Sequence, residues 1–372
     1  MSVSPLSRRL SRVFAVEGVA VAVIFVGMIV FFSLASPFFL TGGNISNLLI
    51  ESVIIALLAA GMTFVLVVGG IDLSVGSVTG LSAATTMWAL MSGAPLPVGL
   101  LIGIGTGVLA GVVNGAVIAL LGVNDFIVTL AMLSVGAGLL QVVTSNVQLT
   151  GVESEAFLWL AGGDVLGVPA PVLIAVVVVA VLEFVLIATP FGRSAYAAGI
   201  GPRAAELAGV PVRRVRFGVY VLSGACAGGA GVLLASKLNS VQSGLASGYE
   251  LTAIAAAVLG GISLAGGRGS VWRAVLGALF LGTLSQGLQM LGVDPLWFTI
   301  VTGLSIVAAV ALDRVVGRIA LSRLLGADPS TPAGPSDGPA DPGGPTADAA
   351  LENDDPRLDQ PLAGSAREAR TS

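Results

Sequence analysis

Apolar residues run through the chain in long blocks separated by short polar or glycine-rich intervals. Ten blocks are legible, at 13–35, 47–68, 73–91, 96–121, 124–145, 171–190, 217–236, 251–266, 271–291 and 296–312. A helix crosses a bilayer with about 20 consecutive apolar residues. The pattern therefore predicts an all-α, polytopic membrane protein of about ten transmembrane helices. The eighth block is short and rich in glycine, so it reads as a re-entrant or broken piece as readily as a full crossing.

Basic residues orient the blocks. No Lys or Arg occurs in the 180 residues between Arg12 and Arg193. Arg193, Arg203, Arg213, Arg214 and Arg216 then share one interval, Arg268 and Arg273 flank another, and Arg314, Arg318 and Arg323 follow the last block. Ten crossings with a cytoplasmic N-terminus put all of these on the inner side, so both termini are expected to be cytoplasmic. Lys237 alone falls outside, as do Glu153, Glu155 and Asp164 in the longest interval, 146–170. Arg8, Arg9 and Arg12 precede an apolar run too long for a signal-peptide core, which reads as an uncleaved first span. The expected organisation is a cytoplasmic N-terminus over 1–12, a transmembrane domain over 13–326 and a tail over 327–372. Pro, Gly, Asp and Ala dominate the tail, which cannot bury enough surface to fold and is expected as a disordered cytoplasmic segment.

Composition sharpens this picture. The 372 residues are 55% hydrophobic and 10% charged, where a soluble chain carries about 25% charged residues. The net charge of −4 is unevenly placed. Nine acids against three arginines give the tail −6, and twelve acids against fourteen Lys and Arg give the remainder +2. No basic face for nucleic acid results. One cysteine, Cys226, excludes an intramolecular disulfide and a cysteine metal cage, and the absence of histidine removes imidazole chemistry. No phosphate-binding loop of the Gly-x-x-x-x-Gly-Lys-Ser/Thr type is present, so the chain is not expected to hydrolyse ATP alone. No cofactor, metal or catalytic residue is expected.

Two intervals stand out. Gly69-Gly70-Ile71-Asp72-Leu73-Ser74-Val75-Gly76-Ser77 puts glycines, a carboxylate and two hydroxyls between apolar blocks. It reads either as a broken helix pair, with Asp72 and Ser74 capping the restart, or as a plain polar turn. Gly260-Gly261-Ile262-Ser263-Leu264-Ala265 echoes it. The second interval is the arginine-rich loop 191–216. Within it, Pro202 suits a first helical position, Gly209 the residue past a helix end, and Pro211 a stop. A helix of two turns or so is marginal alone in water. It is expected to pack either on its own membrane domain or lipid headgroups, or on a cytoplasmic protein.

Carboxylates inside apolar blocks are costly and functional by default. Glu51, Asp72 and Glu183 qualify, and with Ser74 they form the candidate substrate pathway. Each also reads as a structural partner for a backbone donor or hydroxyl, and for Asp72 a lock on a helix end is the favoured reading. Gly103, Gly107 and Gly111 repeat every four residues, the close-packing pattern of membrane helices.

These stretches resemble the permease subunits of ABC importers of the ribose/xylose/galactose type. Gly69 to Ser77 carries that family's signature unaltered, and Asn114-Gly115, Phe126 to Met132, Leu207-Ala208-Gly209-Val210, Gly248-Tyr249-Glu250-Leu251 and Gly266-Gly267-Arg268-Gly269-Ser270 match further. Thr252 and Gln286-Gly287 depart from it, as does Asn124-Asp125. The resemblance implies a multi-pass bacterial inner-membrane permease that forms the path for a monosaccharide such as ribose or xylose. It implies a cytoplasmic ABC ATPase gripping the 202–209 helix, an extracytoplasmic substrate-binding protein and a second permease subunit, in a homodimer. Arg193, Pro202, Arg203, Glu206, Leu207 and Gly209 are then the ATPase-coupling residues. The alternatives are a nucleoside or branched-chain amino acid cargo, or an ion-coupled secondary transporter, which would need a midplane carboxylate such as Glu183 and no docking helix.

Overall fold

The computed structural model describes residues 23–294 together with residues 297, 300, 303, 304 and 307. These belong to the first of two compact units, residues 1–326. The expectations for both termini and for the 327–372 tail lie outside the described residues, as does most of the tenth block.

The chain is mostly helical. In order it forms α1 (Val23–Ala35), α2 (Gly42–Val67), α3 (Val75–Met91), α4 (Leu96–Leu120) and α5 (Asp125–Thr144). Then come β1 (Leu149–Thr150), α6 (Glu155–Gly162), β2 (Asp164–Val165), β3 (Val168–Pro169), α7 (Ala170–Ala188), α8 (Pro190–Ile200) and α9 (Pro202–Leu207). The remainder is α10 (Val212–Leu238), β4 (Ser240–Val241), α11 (Tyr249–Leu259) and α12 (Val271–Met290). The strands are two-residue antiparallel ladders, β1 with β4 and β2 with β3, in the loops and not in the helical body.

Among the described residues six helices are long and apolar enough to cross a membrane: α2, α4, α5, α7, α10 and α12. The expectation of about ten is met to that extent. The third block, read as a span, forms a helix of 17 residues, α3, and the eighth, read as a broken piece as readily as a crossing, forms one of 11, α11. The physical reason is the glycine-rich text at their ends, which lets the backbone leave helical geometry.

α2 is the central helix. Buried residues make up 83% of its most apolar window, against 28% in α4 and 22% in α5, so α2 is enclosed by protein while the other two present apolar faces outward. α10 packs most extensively on α4, then on α2 and α3. The glycine ladder on α4 permits this. A Cβ on Gly107 would lie 2.6 Å from the backbone N of Gly228, and one on Gly111 would overlap the Tyr220 carbonyl. The spacing expectation thus holds, with α10 as the partner of Gly107 and Gly111, while Gly103 lies between Thr86 of α3 and Val232 of α10.

The echo between the two glycine pairs is a shared helix stop. The Gly69 N–H donates to the Leu66 carbonyl (2.9 Å) and the Gly70 N–H to the Val65 carbonyl (2.9 Å). The Gly261 N–H donates to Val258 (2.8 Å) and the Ile262 N–H to Ala257 (3.1 Å). Gly69 and Gly261 take left-handed φ values of +77° and +80°, which glycine adopts without a Cβ penalty. The motif is the same but shifted by one residue relative to the sequence echo. The two stops also meet, since the Gly267 N–H donates to the Val67 carbonyl (2.8 Å).

Candidate functional site

Between α2 and α3 the chain leaves helical geometry and side chains from three other helices hold it. The Asp72 carboxylate is buried, with 2% exposure. Its Oδ1 accepts from the Ser74 N–H (3.0 Å) and the Ser74 hydroxyl (2.6 Å), and its Oδ2 accepts from the Ser223 hydroxyl of α10 (2.8 Å). The Asn114 amide of α4 donates to Ser74 Oγ (2.9 Å). One residue earlier, Asp125 at the start of α5 accepts from the Ile71 N–H (2.8 Å), and the Tyr220 hydroxyl donates to the same carboxylate oxygen (3.3 Å). Thr129 donates to the Ile71 carbonyl (3.3 Å). These contacts tie the break to α4, α5 and α10 or close it on itself. α3 takes no side-chain cap, because Asp72 accepts from Ser74, which stands before the helix, so the capping expectation gives way to a lock between helices. Irregular backbone at membrane depth needs this kind of internal satisfaction.

Asp125, Asn114, Tyr220, Thr129 and Ser223 are the residues that sequence reasoning did not single out for this site. The signal available was polarity inside apolar blocks, which Asn114 and Ser223 carry. Asp125 was legible only as a departure from a family pattern.

Glu183 sits elsewhere, near the start of α12. It accepts from the Ser270 hydroxyl (2.8 Å) and from the Val271 N–H (2.7 Å). A carboxylate from α7 thereby does the work of an N-cap for α12. Tyr196 of α8 donates to the Gly269 carbonyl (2.7 Å) beside it. Burial, then the Glu183 carboxylate, push the Tyr196 phenol above its ordinary range, with Arg273 opposing them.

Glu51 lies at the other end of the bundle. Its carboxylate pairs with Lys237 Nζ at 3.5 Å, and both side chains remain partly exposed. The pair borders a cavity of about 500 Å³ that also takes Asn47, Asn239, Gln286 and Gln289 as polar lining. Asn239 is held by mutual bonds with the Val152 backbone, and Gln286 donates to Asn44 Oδ1 (2.7 Å). The four residues marked for a pathway therefore occupy three places: Asp72 with Ser74 in the break, Glu183 at α12 and Glu51 at the cavity.

The loop 191–216 forms a protruding knob. Thr189 caps α8 by accepting from the Gly192 N–H (3.3 Å). α9 begins at Pro202 and ends in a closed stop, with the Gly209 N–H donating to Glu206 (3.0 Å) and the Val210 N–H to Ala205 (2.9 Å). Gly209 has a φ of +83°, as its place past the helix end demands. Only Ala205 of α9 is buried. Pro202, Arg203, Glu206 and Gly209 are exposed, and Leu207 and Ile200 are 85% and 77% exposed. Arg193 donates to the Ala188 carbonyl at the end of α7 (3.1 Å).

Beneath the knob three backbones touch. A Cβ on Gly199 of α8 would overlap the Val67 carbonyl and come within 2.5 Å of the Gly267 N. On the α2 side, Gly69 Cα lies 3.1 Å from where a Cβ on Gly266 would stand. The end of α8, the end of α2 and the loop between α11 and α12 thus meet without side chains between them. Among the described residues no group of three or more His, Cys, Asp or Glu side chains is placed to hold a metal ion.

Residues 44–310 match the family described as branched-chain amino acid transport system / permease component. The chain is 40% identical over 288 residues to the ribose import permease protein RbsC of Bacillus subtilis, covering 77% of this chain and 89% of that protein. It is 33% identical over 290 residues to the D-allose transport system permease protein AlsC of Escherichia coli, covering 78% and 89%. It is 38% identical over 296 residues to the L-arabinose transport system permease protein AraH of Escherichia coli, covering 80% and 89%. No solved structure matches the chain.

Proposed function

This chain belongs to the branched-chain amino acid transport system / permease component family, and from that premise we propose that it is the membrane-spanning subunit of an ATP-driven importer for a monosaccharide. The observation that carries the cargo class is the set of relatives named for ribose, allose and arabinose, matched over 77–80% of the chain. The outer cavity supports the same class. Its carboxamides each offer donors and an acceptor, which suit a neutral polyhydroxyl solute. The family description favours a second cargo, a branched-chain amino acid. Such a cargo would use the apolar part of that cavity, lined by Ile50, Leu158 and Ala161.

The chain acts in the bacterial inner membrane, as about ten spans with both ends cytoplasmic. The knob side faces the cytoplasm, and a separate ABC ATPase grips Pro202, Arg203, Glu206 and Leu207 there, with Arg193 and Gly209 fixing the shape of the loop. An extracytoplasmic binding protein delivers the solute at the Glu51 end, and a second copy of the chain completes the path. Asp72, Ser74 and Glu183 hold the helices that border the path. The exposure of Leu207 and Ile200 supports the docking role, because apolar side chains on a short helix gain from a protein partner.

Two measurements test this reading. In Leu207→Asp with Glu206→Ala the ATPase subunit should no longer co-purify with the full-length chain; unchanged assembly removes the docking role. Thermal-shift screening of the partner binding protein with pentoses, hexoses, nucleosides and amino acids should select a pentose or hexose. Selection of leucine or isoleucine instead would establish the second cargo.

A further inference from the structure

The depth of two short helices can be read from the long ones. α10 runs 27 residues, about 40 Å at 1.5 Å per residue, enough to cross the roughly 30 Å hydrocarbon core with some to spare. Val75 and Val78, in the first turn of α3, share a crevice with Gly224 and Ala227, which lie at the middle of α10. α3 therefore starts half-way through the membrane. On its other side a Cβ on Gly76 would overlap Glu250 Oε2 and lie 2.8 Å from the Ala246 carbonyl. Glu250 stands in the first turn of α11, so α11 also starts at mid-depth. Its 11 residues, about 16 Å, then cover half the core.

The chain reaches that point without helix. Val241 pairs with Leu149 in the β1–β4 ladder, and residues 242–248 descend as consecutive turns, closed by Leu245 N–H to Gln242 (3.1 Å), Ser247 N–H to Gly244 (3.1 Å) and Tyr249 N–H to Ala246 (3.2 Å). Ala246 sits at a φ of +62°, a conformation an alanine adopts at a cost of about 1 kcal/mol or more. Gln242, Gly244 and Ser247 are exposed. The outward face of α7 differs, showing Val176, Val177 and Val181, whereas the 242–252 stretch exposes Leu251 as its one large apolar residue beside Gln242, Gly244 and Ser247. Lipid accepts those valines but not a string of turns with open polar groups, since hydrocarbon offers no partner for them.

We propose that the exposed side of residues 242–252 borders a water-filled passage at the middle of the membrane, lined there by Gln242, Ser247 and Glu250 for a neutral hydrogen-bonding solute. The inference rests on the permease reading and adds where its path runs. The electrostatics are consistent. The positive ends of α3 and α11 converge on the Glu250 carboxylate, whose Oε1 accepts from the Gly248 N–H (3.2 Å), so an acid is tolerated at that depth.

The test uses the full-length transporter in right-side-out and inside-out membrane vesicles. The single native cysteine, Cys226, is buried and is removed as Cys226→Ala. Ser247→Cys and Gln242→Cys are then compared with Val177→Cys on the outward face of α7, using a charged, membrane-impermeant methanethiosulfonate reagent. The expected result is modification of Ser247→Cys and Gln242→Cys at least tenfold faster than Val177→Cys from one face or the other. Equal rates, reaction only with lipid-soluble N-ethylmaleimide, or oxidative cross-linking between copies with no labelling would each overturn the passage. ATP-driven sugar uptake, measured separately on the unmodified chain, tests the permease reading. Loss of labelling with normal uptake defeats this inference alone, and labelling without uptake defeats the permease reading alone.

Discussion

Replacing Asp72 by alanine and by asparagine separates two roles that the same residue could play. In Asp72→Ala the Ser74 N–H and the hydroxyls of Ser74 and Ser223 lose their acceptor, at 3.0, 2.6 and 2.8 Å respectively. The Ser223 hydroxyl can turn to the helix carbonyl four residues back, as Thr79 and Thr63 already do, whereas Ser74 precedes α3 and has no helical carbonyl there. The Ser74 N–H has no such freedom. One orphaned buried donor costs about 1–3 kcal/mol, and the void left by the carboxylate adds to it, for a total of about 2–4 kcal/mol. Asp72→Asn keeps Oδ1 for both Ser74 donors, and its amide faces a Ser223 hydroxyl that can reverse and accept. It also relieves the desolvation of a buried charge, so its net cost should stay within about 1 kcal/mol. The assay is thermal unfolding of the purified full-length chain in detergent, paired with uptake in vesicles. The alanine variant should melt several degrees lower and the asparagine variant close to the parent, with uptake following stability. An asparagine variant as unstable as the alanine one would refute the geometric account. A stable asparagine variant with no uptake would show that the charge itself acts on the solute.

Three further outcomes follow from the packing. Gly199→Ala places a methyl group against the Val67 carbonyl and the Gly267 N; overpacking of that kind costs about 1–3 kcal/mol, read as a lower melting temperature and faster proteolysis within the knob. Glu183→Ala removes both acceptors at the start of α12 and should cost about 1–2 kcal/mol, with Glu183→Gln intermediate, by the same thermal assay. Glu51→Gln breaks only a partly exposed ion pair, worth about 0–1 kcal/mol, so the melting curve should hardly move; a change in uptake at constant stability would place Glu51 on the solute's route.

Much of the helical body was legible because burial in a membrane leaves long apolar runs. The stop at Gly209, the start at Pro202 and the glycine ladder on α4 follow from local rules, and the structure has each where those rules put it. Depth was not legible. The block at 73–91 has a span's length and composition, yet α3 starts beside Gly224 and Ala227 at the middle of α10, because residues 68–74 run back from the end of α2 without helix. Hydropathy counts residues and is blind to where a run begins. The partners of the carboxylates were equally hidden. Glu183 finds Ser270 87 positions away, and Ile71 finds Asp125 54 positions away, separations for which sequence has no pattern.

The contact among Gly199, Val67 and Gly267 has a mechanical meaning. Side chains at an interface act as cushions, swinging between rotamers and absorbing small displacements. Here peptide planes abut directly, tied by the Gly267 to Val67 hydrogen bond of 2.8 Å, and peptide planes have no rotamers. A tug on the surface helix therefore reaches the end of α2 with almost no slack, as through a rivet and not a spring.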